Sequence, residues 1–161
     1  MGGDFPRTLK IATVWLLAGL LVFLGYQALE RHEQASRFDS DGRTITLRRG
    51  PDGHYHWPGR LNGVAVDFLV DTGATRTALP QALADQAGLA RLGEVRSETA
   101  GGIARGWAAR ADLALDGGVR VQGLPVVVLP GLREHPLLGM DVLGRMRWRQ
   151  ESGVLTIEPG R

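Results

Sequence analysis

Phe68-Leu69-Val70-Asp71-Thr72-Gly73-Ala74 is the stretch on which this chain turns. An apolar run of strand character ends on a carboxylate, and the glycine two residues later lets the backbone fold back close to it. The Asp-Thr-Gly triplet occurs once in 161 residues. Two carboxylates a few ångströms apart cannot both ionise, so a pair sharing one proton offers an acid and a base together. A single copy therefore implies either a two-fold dimer that brings two Asp71 side chains together, or no such chemistry.

Working outward, Val64 to Val70 alternates, with Val64, Val66, Phe68 and Val70 on one face. Asn62-Gly63 before it is a type I′ hairpin signal, because both residues tolerate positive φ. Further upstream, Thr44 to Leu47 reads as a strand, Gly50-Pro51-Asp52-Gly53 as a turn, and His54 to Trp57 as a short strand closed by Pro58-Gly59. Downstream, Pro80 to Ala87 reads as a short helix with Gly88 at its end. Thr99 to Ala104 is a glycine-rich turn between extended stretches. Trp107–Leu115 and Val119–Leu129 read as a hairpin around Asp116-Gly117-Gly118. Met140 to Arg145 predicts a helical turn, and Met146–Trp148 with Val154–Ile157 a last hairpin through Ser152-Gly153.

The bulk numbers narrow the class. The length fits one domain with an appendage, and 43% apolar residues supply a core. Twenty-three glycines and 8 prolines among short apolar runs point to β structure with many turns. The formal charge is only +2 and the basic residues are scattered, so no nucleic-acid footprint is visible. Without cysteine there is no disulfide framework, thiolate nucleophile or thiolate zinc site.

Residues 11–29 (IATVWLLAGLLVFLGYQAL) carry no charge. As a helix they cover about 28 Å, close to the roughly 30 Å hydrocarbon core. Arg7 and Lys10 precede them, and Trp15 and Tyr26 lie towards the two ends, where amphipathic rings favour the interface. The expected organisation is an N-terminal flank (1–10), a transmembrane anchor (11–29), a juxtamembrane linker (30–42) and a soluble domain (43–161). No small-x-small cleavage site follows the apolar run, so an uncleaved anchor is expected rather than a signal peptide.

These pieces, in this order, resemble the retroviral-type (retropepsin-like) aspartic proteases, and within them the bacterial membrane-anchored branch. Asp71-Thr72-Gly73-Ala74-Thr75 matches the active-site loop, and Asn62-Gly63 with Phe68-Leu69-Val70 matches the hairpin before it. Gly101-Gly102-Ile103 stands where a flap tip is expected, and Leu137-Leu138-Gly139 matches the hydrophobic-hydrophobic-Gly signature that supports the active-site loop. The resemblance covers roughly residues 43 to 158. It implies an all-β acid-protease barrel with one short helix, a homodimer, and a peptide or protein substrate. It implies an aspartic endopeptidase in which a water held between two Asp71 carboxylates attacks the peptide bond, with neither metal nor cofactor. Thr72 is expected to bond across the two-fold axis. Ala74 lacks the hydroxyl that a serine would offer the ionised acid, which implies a less acidic activity optimum than in serine-containing relatives. Arg7 and Lys10 favour a cytoplasmic N-terminus; Arg31, Arg37, Arg43, Arg48 and Arg49 argue the reverse, but a large following domain crosses largely regardless of charge, so the expected location is a bacterial inner membrane with the protease domain on the periplasmic side.

Other readings stand beside these. A protease-fold module that binds peptides or scaffolds an assembly without cleaving is the functional alternative. Gly101-Gly102 also fits an ordinary hairpin tip. His54 and His56 could share a strand face as metal ligands, but no third ligand is evident in the sequence, and both read as exposed strand histidines. Trp107 and Trp148 read as core or edge aromatics. Asp112, Asp116 and Asp141 lack a following Thr-Gly or Ser-Gly, so none is expected as a second catalytic acid.

Overall fold

The computed structural model describes residues 7–35, 38–40, 44–99, 102–132 and 135–159. The chain divides into two units, Met1–Ser36 and Arg37–Arg161. The first holds helix α1 (Arg7–Ala35). Between residues 11 and 26 every side chain of α1 is exposed, Trp15, Leu16, Leu21 and Val22 among them. The expected transmembrane anchor over 11–29 is not supported: among the described residues no helix is long and apolar enough to cross a membrane.

The second unit is built from strands. They run β1 (Phe38–Ser40), β2 (Ile45–Arg48), β3 (His56–Leu61), β4 (Val64–Val70), β5 (Ala78–Pro80), β6 (Gly93–Thr99), β7 (Gly102–Leu115), β8 (Val119–Leu129), β9 (Leu137–Leu138), β10 (Arg147–Glu151) and β11 (Val154–Glu158). Two short helices interrupt them, α2 (Gln81–Gln86) and α3 (Met140–Leu143). One sheet has the order β1-β2-β11-β10, and the other β3-β4-β9-β5-β8-β7-β6. A further pairing of β3 with β7 over Gly59–Leu61 closes the second sheet on itself, leaving β6 outside the ring. Closure covers the edge of β3, which would otherwise expose unpaired backbone. Trp57, Leu61, Phe68, Leu79, Leu113, Val126 and Leu138 fill the barrel interior, continuous with Ile45, Leu47, Leu155 and Ile157 of the four-stranded sheet.

Local turn chemistry sets the hairpins. Asn62 and Gly63 have φ of 47° and 84°, and Ser152 and Gly153 of 47° and 77°, the two-residue turn whose twist matches the flanking strands. Gly88, at φ 64°, follows α2.

Two expectations need correction. The second strand does not close at Pro58-Gly59; β3 runs through both to Leu61. Pro58 faces Asp67 across β4, and bond alternation from the Val70 N–H to the Tyr55 carbonyl makes that a non-bonded pair needing no N–H. Gly59 is required because a Cβ there would lie 2.7 Å from the Ala114 carbonyl oxygen of β7. The segment 30–42 is not all linker: α1 continues to Ala35, and β1 pairs Phe38, Asp39 and Ser40 with Leu47, Thr46 and Ile45. This pairing covers an edge of β2 that would otherwise stay open.

Candidate active site

The site is built where β4 stops. Residues 71–77 loop from β4 to β5, and β9 lies between those two strands, parallel to β4 with Leu69 opposite Leu137 and Val70 opposite Leu138. The Asp71 N–H donates to the Leu138 carbonyl (3.0 Å), so the backbone of the acid extends the β4–β9 pairing by one bond. The loop then turns back on itself. The Gly73 N–H donates to Asp71 Oδ1 at 2.8 Å, and the Ala74 N–H to the Asp71 carbonyl at 3.3 Å. A backbone N–H fixed on a carboxylate oxygen sets its orientation. Asp71 is half-buried, with Thr72 and Gly73 exposed beside it.

Gly139 locks the other side of the loop. A Cβ there would lie 2.5 Å from the Arg76 carbonyl carbon and 2.9 Å from the Ala74 carbonyl oxygen, so only glycine fits. Immediately after it, the Met140 N–H donates to the Ala74 carbonyl at 2.8 Å. Leu138 is fully buried beneath the loop. Leu137-Leu138-Gly139 thus packs against the backbone of Asp71-Thr72-Gly73-Ala74.

Two further residues hold the cradle together, and neither was singled out for this from the sequence. Thr77, fully buried, donates its N–H and its hydroxyl to the two oxygens of Asp141, both at 2.9 Å. Its hydroxyl oxygen in turn accepts the Gly139 N–H at 3.3 Å. Asp141 is therefore a structural anchor for the loop. Asp112 accepts the Gly123 N–H at the irregular point of β7, and Asp116 receives the Trp57 indole N–H on its backbone carbonyl. The only sequence cue to Thr77 was a polar residue just before an apolar pair.

The expected flap is a hairpin of β6 and β7, in register from Gly93 opposite Ala108 to Thr99 opposite Gly102. Gly101 lies outside the described residues. Gly102 has φ 106°, and Ile103 is 71% exposed. At the base of the hairpin a cavity of about 900 Å³ is lined by Arg91, Glu94, Arg96, Arg105, Trp107 and Pro130. The Arg91 guanidinium lies 4.9 Å from the centre of the Trp107 ring, a cation–π contact that orders this wall. Trp107 is buried and its N–H donates to Gln81 Oε1, whereas Trp148 is partly exposed on β10.

Comparison with known proteins agrees with this geometry. The chain resembles a crystal structure of a retropepsin-like aspartic protease from Rickettsia conorii, at 25% identity and a TM-score of 0.58, over 72% of this chain and 90% of that one. It resembles the EIAV protease, solved in complex with the inhibitor HBY-793, in fold: TM-score 0.50 at 17% identity, over 59% of this chain and 89% of the other. No match is found among curated proteins. The family profile described as "gag-polyprotein putative aspartyl protease" matches residues 57–145, which is more than half of the sequence and takes in the Asp71 loop, the flap hairpin and Gly139. With a single Asp-Thr-Gly loop held on a β9 strand inside a closed barrel, the chain belongs to this retropepsin-like family of aspartic proteases.

Proposed function

We propose that this protein is an aspartic endopeptidase whose working unit is a homodimer. The observation that carries the reading is Asp71 itself: a half-buried carboxylate pinned by the Gly73 N–H, on a loop tied down from both sides. One chain supplies one such acid, so the dyad needs a second copy. In the dimer the two Asp71 side chains share a proton and hold a water between them. The ionised acid takes the proton of that water as it attacks the scissile carbonyl, and the protonated acid donates to the carbonyl oxygen. Thr72, exposed at the front of the loop, is placed to bond across the two-fold axis. The β6–β7 hairpin closes over an extended peptide, which lies as an added strand with alternate side chains in pockets. Gly101, Gly102 and Ile103 form the tip of that cover.

Attachment to a membrane through residues 11–29 belongs to the same proposal, with the catalytic domain on the periplasmic side of a bacterial inner membrane. What supports it is an uncharged helical stretch with apolar side chains exposed around its circumference, which water does not favour. Confinement to a plane would raise the effective concentration of the two chains and favour the dimer.

The test uses the full chain in nanodiscs with a diverse peptide library, from about pH 3 to about pH 8, beside Asp71→Ala. Expected is cleavage by the wild-type chain, none by the variant, inhibition by a statine-type transition-state analogue, and an optimum in the less acidic part of the range. No cleavage at any pH by a sample shown to be dimeric would overturn the endopeptidase and leave the non-cleaving peptide-binding module.

A further inference from the structure

His56, which the sequence left as an exposed strand histidine, is partly buried between two carboxylates. Its Nδ1 lies 2.9 Å from Asp67 Oδ2 and its Nε2 lies 2.7 Å from Asp52 Oδ2. A neutral imidazole has one N–H, so it can donate to only one of the two acids. The other acid then faces a nitrogen lone pair unless a cation stands between them. Asp67 has a second need: its Oδ1 is buried and has no hydrogen-bond partner. A buried carboxylate oxygen without a partner is costly.

The third ligand missing from the sequence is supplied by the fold. His135 stands edge-on to His56, with ring centres 5.3 Å apart. His56, Asp67 and His135 each offer one ligand atom, and these atoms lie within 4.8 Å of one another. Strand register explains the meeting. Leu69 pairs with Leu137 in parallel and with His56 in antiparallel fashion, and the Leu69 N–H donates to the Pro136 carbonyl. Asp67 and His135 therefore each stand two residues before a paired position on β4 and β9, which brings both onto the face His56 occupies.

We propose that His56, Asp67 and His135 form a binding site for a divalent transition-metal cation, with Zn²⁺ the best fit to two imidazoles and a carboxylate. Bonds of about 2.0–2.1 Å put tetrahedral ligand atoms about 3.3 Å apart. The exposed His135 ring reaches that spacing by a side-chain rotation, and a water completes the shell. His56 then binds through Nδ1 and donates its Nε2–H to Asp52, the carboxylate–histidine–metal arrangement that fixes the tautomer and strengthens the ligand. The ion replaces the cation that the two carboxylates require and takes up the charge at Asp67. It staples β3, β4 and β9 to one another. Asp71 lies four residues along β4 from Asp67, roughly 13 Å at strand rise, so the ion is structural and outside the reach of the reacting peptide.

The test is a titration of the metal-free full chain, in nanodiscs and without a polyhistidine tag, with Co²⁺ as a spectroscopic probe. Expected are visible d–d bands of a low-symmetry site, displaced by Zn²⁺, and a melting temperature that rises with Zn²⁺ concentration. His56→Ala, Asp67→Asn and His135→Ala should each weaken Co²⁺ binding by more than the roughly tenfold expected for Asp52→Asn. His54→Ala and Asp71→Asn should leave it unchanged. His135 is exposed, so its variant separates lost ligation from lost folding. Absence of the bands, or equal weakening in His54→Ala, would overturn the site.

Discussion

The loop that carries Asp71 and the hairpin that would cover it are made in opposite ways. Around the acid, side chains reach far along the sequence: Thr77 bonds Asp141, 64 residues away, and Gly139, 62 residues away. Thr77 and Leu138 are fully buried, and Gly139 leaves no room for a methyl group. The distal part of β6–β7 is held mainly by strand pairing between near neighbours, and Arg96, Gly102, Ile103 and Arg105 are exposed. On the proposed function, the difference separates two tasks. A catalytic acid needs a fixed position, because small misplacements cost rate. A cover for varied peptides needs a surface that can move and adapt.

The comparison breaks first at Gly139. Gly139→Ala drives a Cβ into the Arg76 and Ala74 backbone, which cannot move without shifting the Asp71 loop. A loss of about 3 kcal/mol is expected, at the top of the range for overpacking, read as a lower urea midpoint with unchanged slope. If the loss is small, the cradle is not rigid and the contrast with the flap falls. Thr77→Val sharpens the same side. It removes one hydroxyl and leaves the Gly139 N–H and one Asp141 oxygen without their partner. The expected cost is about 1–3 kcal/mol, with activity lost in parallel; Thr77→Ser should recover most of both.

On the flap side, Ile103→Ser touches an exposed tip, so stability should stay within about 0.5 kcal/mol of wild type. An Ile side chain buried against substrate contributes about 1.5–3 kcal/mol, so partial burial in the closed state predicts a fall of roughly tenfold in kcat/KM. Loss of stability without loss of kcat/KM would place Ile103 in the fold rather than in the cover.

Much of the framework was legible because the signals are local. Positive φ at Asn62, Gly63, Ser152 and Gly153 follows from residue types that tolerate it, so the hairpins could be placed from adjacent letters. The alternation of Val64–Val70 is a strand property carried by seven consecutive residues. The passage of β3 through Pro58 was not legible, because whether a proline disrupts a strand depends on which side of the ladder its missing N–H faces. Residues 11–29 were legible as a helix from their uncharged apolar run, and α1 spans all of them.

The sequence by itself determined that one Asp-Thr-Gly triplet ends a strand and that the domain is mostly β; its resemblance to a family added the expectation that Leu137-Leu138-Gly139 belongs with that loop. Only the tertiary structure decided that β9 enters between β4 and β5, that Thr77 and Asp141 lock the cradle, and that His135 meets His56 and Asp67. The physical reason is range. Turn and strand preferences act over a few bonds of backbone, whereas partners 60 or more residues apart, as Thr77 and Asp141 are, are selected by register and barrel closure, which exist only once the chain has packed.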